Sequence, residues 1–239
     1  MERHPTFYVR PSGERFALKV APRLANWNRS DHPDQLRLTA ALEHAVDVLG
    51  PKLGSVPGPV AVRLDVALPT STPLLDEHDL DNYLYPLASH LAKHVQRVIV
   101  SAWCSKFHGD RSFLAVEQAV ARKVVPDDLI VVRTTASGST TAYKEQIREQ
   151  LHGSTELPDG PVSLELAFVV GPTRNWLNLW KPTIDSLEPL LGRTRPNRAW
   201  HPRDGRITDL GLHLTVDPAA GNDVMIAICR GNGQVTGRV

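Results

Sequence analysis

The chain has 239 residues, 41% of them hydrophobic, and its 27 Lys+Arg against 26 Asp+Glu leave a formal net charge of +1. That length supports one large domain or two small ones, each with its own core. The near-neutral balance counts against a general nucleic-acid coat, which usually carries a basic excess to neutralise phosphates, and leaves room only for a local basic surface.

No apolar run reaches the roughly 18 residues of a membrane-spanning helix, and no apolar h-region follows Met1-Glu2-Arg3-His4-Pro5. Cys104 and Cys229 stand far apart with no metal-type spacing. The expectation is a reduced, cytoplasmic protein. Its 19 prolines and 16 glycines argue for many loops and strand ends rather than a helical bundle.

In chain order, Thr6 to Pro11 reads as a short strand. Asp34 to Leu49 follows as a helix, with Leu36, Leu38, Leu42, Val46 and Leu49 at near-helical spacing and Gly50-Pro51 as its stop. Gly58-Pro59 opens an alternating strand with Val60, Val62, Leu64, Val66 and Leu68 on one face. A loop leads to Asp79-Leu80-Asp81-Asn82 and a helix to about Val98. Asp110-Arg111 then precedes a strand from Phe113 to Val120.

The order then repeats. Leu129 to Thr134 reads as a strand, Tyr143 to Leu151 as a helix, and Gly160-Pro161-Val162 opens an alternating strand through Leu164, Leu166 and Phe168. The segment Asn175-Trp176-Leu177-Asn178 opens a helix to about Leu190. Asp204-Gly205-Arg206 precedes a strand from Ile207 to Val216, and Val224 to Cys229 closes the copy. Asn82 aligns with Asn178 and Pro86 with Pro182, and a proline suits a helix's first turn. The two carboxylates of the first copy are replaced by Asn175 and Leu177 in the second. The sequence thus divides at residues 1–123 and 124–239, with a hinge between Val124 and Val132.

These residues resemble the RusA-like Holliday junction resolvases, whose pattern is Asp-x-Asp-Asn-x-x-Lys, a helix with Asp-x-Leu near its end, and an Asp before a strand. The resemblance covers nearly the whole chain, once per half. It implies two tandem α/β (α+β) domains, each a small mixed sheet packed with helices, fused as a pseudodimer. It also implies Mg²⁺-dependent endonuclease activity on branched DNA, in repair or recombination. Asp79, Asp81 and Asp110 match the family's catalytic, metal-binding aspartates, and Asn82 the Asn beside them. Tyr85 stands where the family has Lys. In the second copy Asn178, Lys181 and Asp204 match the Asn, Lys and third Asp, and Asp185-Ser186-Leu187 the helix motif. One active half implies nicking unless two chains associate as a homodimer; the alternative is a catalytically lapsed DNA-binding or scaffold protein.

The chemistry agrees with the residue types. A few carboxylates suit a hard cation that activates water for phosphodiester hydrolysis. Two aspartates at i and i+2 converge only on bent or extended backbone, since they diverge on a regular helix. Helix capping by Asp79 or Asp81 is the competing explanation. Arg193, Arg195, Arg198, Arg203 and Arg206 form the best phosphate-binding stretch, with a solvated loop as the alternative. Lys181, flanked by Trp176 and Trp180, can contact a phosphate or stack near a base, but tryptophans at i and i+4 read more readily as core. His90 and His94 lie at i, i+4 but have no third ligand in view, and His108 is placed in a loop.

Overall fold

The computed structural model describes residues 4–25, 28–95, 97–124, 128–195 and 197–232. One 8-stranded mixed sheet runs through both halves in the order β1-β4-β2-β3-β7-β6-β8-β5. The strands are β1 (Phe16–Ala17), β2 (Val60–Leu68), β3 (Ile99–His108), β4 (Phe113–Gln118), β5 (Ile130–Thr134), β6 (Val162–Val170), β7 (Ile207–Val216) and β8 (Val224–Asn232). The helices are α1 (Pro33–Ser55), α2 (Leu80–Val95), α3 (Thr141–Gln150), α4 (Trp180–Asp185) and α5 (Glu188–Leu191).

The pairing repeats. Parallel β2 and β3 start with Val60 beside Ile99, and parallel β6 and β7 with Val162 beside Ile207. Both pairs shift register directly after that first match. Antiparallel β4 flanks β2, and antiparallel β8 flanks β6. The halves join where β3 meets β7 antiparallel, from Ser101 beside His213 to Ser105 beside Asp209. The main core cluster holds residues of both halves, with Leu64, Leu84 and Leu91 of the first alongside Leu166, Trp180 and Leu212 of the second.

Alternation on β2 sends Val62, Leu64, Val66 and Leu68 into that core, as the period-2 pattern predicts. Helix α2 buries Leu80, Leu84, Leu87, Ala88 and Leu91, an i, i+3/i+4 stripe, each leucine contributing about 2 kcal/mol. The far face of the sheet is polar at its centre. There Arg10 bridges Asp65 of β2 at 3.2 Å and Asp209 of β7 at 2.6 Å, while Phe7 packs beside Ala167 and Ala227.

Four expectations need correcting. Helix α1 does not stop at Gly50-Pro51 but continues to Ser55, because Leu49 and Leu53 are both fully buried and their packing outweighs the hydrogen bond lost at Pro51. Its buried line is Leu38, Ala41, Ala45, Leu49 and Leu53, whereas Leu36 is exposed. The second-copy helix is broken into a 3₁₀ turn (Trp176–Leu179), α4 and α5. The Thr6 to Pro11 segment makes only an isolated bridge, Tyr8 to Ala121. The hinge falls partly outside the described residues.

Strand β3 is the element the sequence reading missed, and it changes the alignment of the halves. By pairing, β7 stands where β3 stands, and β8 where β4 stands. Asp204 precedes β7, so its counterpart lies just before Ile99, whereas Asp110 sits in the turn between β3 and β4. The matching of Asp110 to Asp204 therefore does not hold.

Candidate metal centre

The acidic motif sits where β2's connecting loop turns into α2. His78 takes a left-handed conformation (φ 64°), rare for a residue with a Cβ, and its Nδ1 lies 2.6 Å from the Tyr83 hydroxyl. The bend lets Asp79 precede the helix while Asp81 enters its first turn, buried at 3% exposure. Asn82 Nδ2 donates to Asp79 at 3.2 Å, fixing that carboxylate.

The third carboxylate comes from the other half. Asp79, Asp81 and Asp204 each offer an oxygen, and these oxygens all lie within 4.8 Å of one another. Asp110 is exposed beyond the end of β3 and is not in this group. Asp204 lies in a 3₁₀ turn before β7, and β7's antiparallel pairing with β3 brings that turn beside the loop leading into α2. Gly205 makes the approach possible: a Cβ there would sit 2.6 Å from the Asp76 carbonyl, so only glycine fits without shifting backbone.

Lys106, the one charged residue buried on β3, stitches the two loops together. Its Nζ donates to the carbonyls of Glu77 at 2.7 Å, His78 at 3.1 Å and Gly205 at 2.5 Å. Burial lowers its pKa to about 8, against the pull of Asp79. Lys181, on the first turn of α4, reaches in from the second half. Its Nζ lies 3.0 Å from Asp204, 3.1 Å from Asp185 and 3.9 Å from Asp81.

Burial pushes the Asp81 carboxyl up to about 7; Lys181 opposes this, while Asp204, Asp79 and Asp185 add to it. Burial also raises Asp79, with Asp204 adding to it. Burial works against the Lys181 ammonium too, but Asp81, Asp204 and Asp185 outweigh it and raise its pKa, so it stays charged. Four carboxylates (Asp79, Asp81, Asp185, Asp204) against two ammoniums (Lys106, Lys181) leave two negative charges when all are ionised, matching one divalent cation. An all-oxygen donor set of this kind fits Mg²⁺ or Ca²⁺ better than a soft metal.

Compared with known protein families, curated proteins and solved structures, the chain matches none. The site therefore rests on its own geometry.

The remaining sequence candidates scatter. Asn178 is not at the acidic cluster; its Oδ1 accepts from the Tyr85 hydroxyl at 3.2 Å. Arg206 is 1% exposed, its guanidinium held by the carbonyls of Gly160, Leu157, Pro158 and Leu191, so it is a structural strut and faces no ligand. Arg193 pairs with Glu188 at 3.1 Å and Arg203 with Asp159 at 2.8 Å, while Arg195 and Arg198 are exposed. Trp176 and Trp180 are core, edge to face at 4.9 Å. The His90 and His94 rings lie 4.0 Å apart, tilted at 39°, and His108, the last residue of β3 rather than a loop residue, has its Nε2 2.9 Å from the Thr72 carbonyl oxygen. Among the described residues the aspartate group is the one cluster suited to a metal, and no helix is long and apolar enough to cross a membrane. Lys106 escaped the sequence reading because one lysine in a mixed polar run looks solvated.

Proposed function

We propose that Asp79, Asp81 and Asp204 hold Mg²⁺ and that the centre hydrolyses phosphodiester bonds in branched DNA, as the resemblance to RusA-like resolvases implies. The observation that carries this reading is the convergence of three carboxylates from both halves, with Lys181 beside them. On this reading the two copies have decayed in complementary ways. The first keeps the Asp-x-Asp-Asn motif and the second keeps the Lys and the third Asp, so the pseudodimer retains one composite centre and cuts one strand.

A bound Mg²⁺ would lower the pKa of water and neutralise charge on the phosphate. The chain's own groups do the rest. Asp81 would hold the metal as a carboxylate, its proton released to solvent, and Asn82 orients Asp79. Lys181, charged and 46% exposed, would contact a phosphate oxygen on this reading. The exposed Arg195 and Arg198 supply the local basic surface that the overall charge allows.

One observation favours a second reading. Lys181 already lies among the carboxylates, an internal cation that offsets part of their charge. In that case the chain is a lapsed nuclease that binds junctions as a scaffold. Incubation with Mg²⁺ and labelled four-way junctions, flaps and duplexes separates the two. A Mg²⁺-dependent nick lost in Asp81→Asn supports the nuclease, junction binding without cleavage supports the scaffold, and neither binding nor cleavage overturns both.

A further inference from the structure

A cavity of about 600 Å³ opens beside the acidic centre, within the roughly 300–1,000 Å³ range of small-molecule sites. Asp81 and Lys181 belong to both the cavity and the centre. Asn175 and Leu177, the residues aligned with Asp79 and Asp81, form part of its wall. With Asn175 and Leu177 in those places, Asp81 is the one carboxylate in the cavity wall.

Its lining has a definite chemistry. The charged groups are one carboxylate, Asp81, and two cations, Arg174 and Lys181; with Lys181 already set against the acidic centre, Arg174 and a divalent cation at that centre would supply the positive charge that suits a phosphate. Tyr85 offers a 39% exposed ring, set nearly perpendicular to Trp180 at 82°. Asn175 uses its Oδ1 to cap the 3₁₀ turn through the Leu177 N–H, and Asn178 uses its Oδ1 for the Tyr85 hydroxyl. What both amides keep for a ligand is their Nδ2 donors, which match the acceptor-rich edges of nucleobases. The opposite wall is rigid. A Cβ on Gly138 would sit 2.8 Å from Leu179, and Arg174 Nη2 ties to the Ala136 carbonyl at 2.9 Å.

We propose that this cavity takes one unpaired nucleotide of the substrate, its phosphate toward Lys181, its base against Tyr85 and the amides of Asn175 and Asn178. This rests on the reading of the acidic centre as a phosphodiester-cleaving site and sharpens it: the substrate presents an unstacked base next to the scissile phosphate. Tyr85, where the resemblance expects Lys, then has a stacking role that a lysine could not fill.

The test is calorimetric titration of the full chain, in Ca²⁺ buffer, with the four deoxynucleoside 5′-monophosphates, the unphosphorylated deoxynucleosides and inorganic phosphate. The expected result is nucleotide binding about tenfold or more tighter than inorganic phosphate. Tyr85→Leu should weaken it about tenfold or more and Tyr85→Phe far less, as stacking on a ring requires; Asn178→Ala should weaken it several-fold. Both side chains are exposed, so these variants should fold. Equal binding of phosphate and nucleotide, no binding, or affinity unchanged in Tyr85→Leu would overturn the proposal. Mn²⁺ binding to the same samples separates it from the reading of the acidic centre. Metal binding without Tyr85-dependent nucleotide binding sinks the pocket alone. Tyr85-dependent binding of deoxynucleosides without metal binding sinks the metal centre alone.

Discussion

Lys106 on β3 donates to the Gly205 carbonyl at 2.5 Å, across the line where the first half meets the second. With the carbonyls of Glu77 and His78 also on its ammonium, this one side chain holds the loop carrying Asp79 against the turn carrying Asp204. The composite centre depends on that clamp.

Replacing Lys106 with Met removes charged hydrogen bonds from three carbonyls at a site 2% exposed. The expected cost is about 2–4 kcal/mol of stability, a drop in Tm of several degrees for a chain of this size. Urea unfolding measures the cost. Mn²⁺ titration of the folded variant should show affinity about tenfold lower, the usual scale for losing a group that orients metal ligands.

Asp81 titrates near 7 when folded, well above an ordinary carboxyl. The folded chain therefore holds a proton that the unfolded chain has lost between about pH 4 and 7, so without metal Asp81's contribution to stability declines as pH rises through that window. Metal competes with the same proton. Mn²⁺ affinity should fall about tenfold from pH 8 to pH 6, level off above about 7, and lose this dependence in Asp81→Asn. Titrations across that range check both signs.

Lys181→Met takes one positive charge from the carboxylates 3.0 to 3.9 Å away. Divalent-cation affinity should rise several-fold, because a competing cation is gone. Cleavage should fall by about 100-fold or more if Lys181 stabilises charge on the phosphate, as removing one such group does elsewhere. Tighter metal binding with undiminished cleavage would mean that Lys181 is only a counter-ion.

The arginines should divide by burial. Arg206→Met strips a buried guanidinium from its carbonyls and should destabilise the fold by roughly 2–4 kcal/mol. Arg195→Ala and Arg198→Ala should leave Tm unchanged, weaken DNA binding and each lower the salt slope by about 1. Thermal melts and binding at several salt concentrations distinguish the two outcomes.

Much of this architecture is legible in the sequence, and the gaps have physical causes. The alternation of Val62, Leu64, Val66 and Leu68 marks β2 because one face meets helices and the other carries Arg63 and Asp65. Strand β3 shows no such pattern. It lies mid-sheet with both faces buried, and its polar residues are satisfied internally: Ser101 by His213, Ser105 by Asp65, and Lys106 by three carbonyls. A central strand filled with paired polar groups reads as loop. Missing it moved the third acid from Asp204 to Asp110. The Asp79-Leu80-Asp81-Asn82 motif was visible because it is local, whereas its completion by Asp204 depends on the β3–β7 pairing, which no short-range pattern encodes.

The claim that the centre is shared between the halves is tested most directly by Mn²⁺ binding, followed by electron paramagnetic resonance, in Asp204→Asn beside Asp110→Asn. A shared centre predicts that Asp204→Asn loses about 100-fold or more in affinity, beyond the usual effect of an outer-shell partner, while Asp110→Asn binds like the unaltered chain. Full binding by Asp204→Asn together with loss in Asp110→Asn would contradict it and return the site to the first half alone.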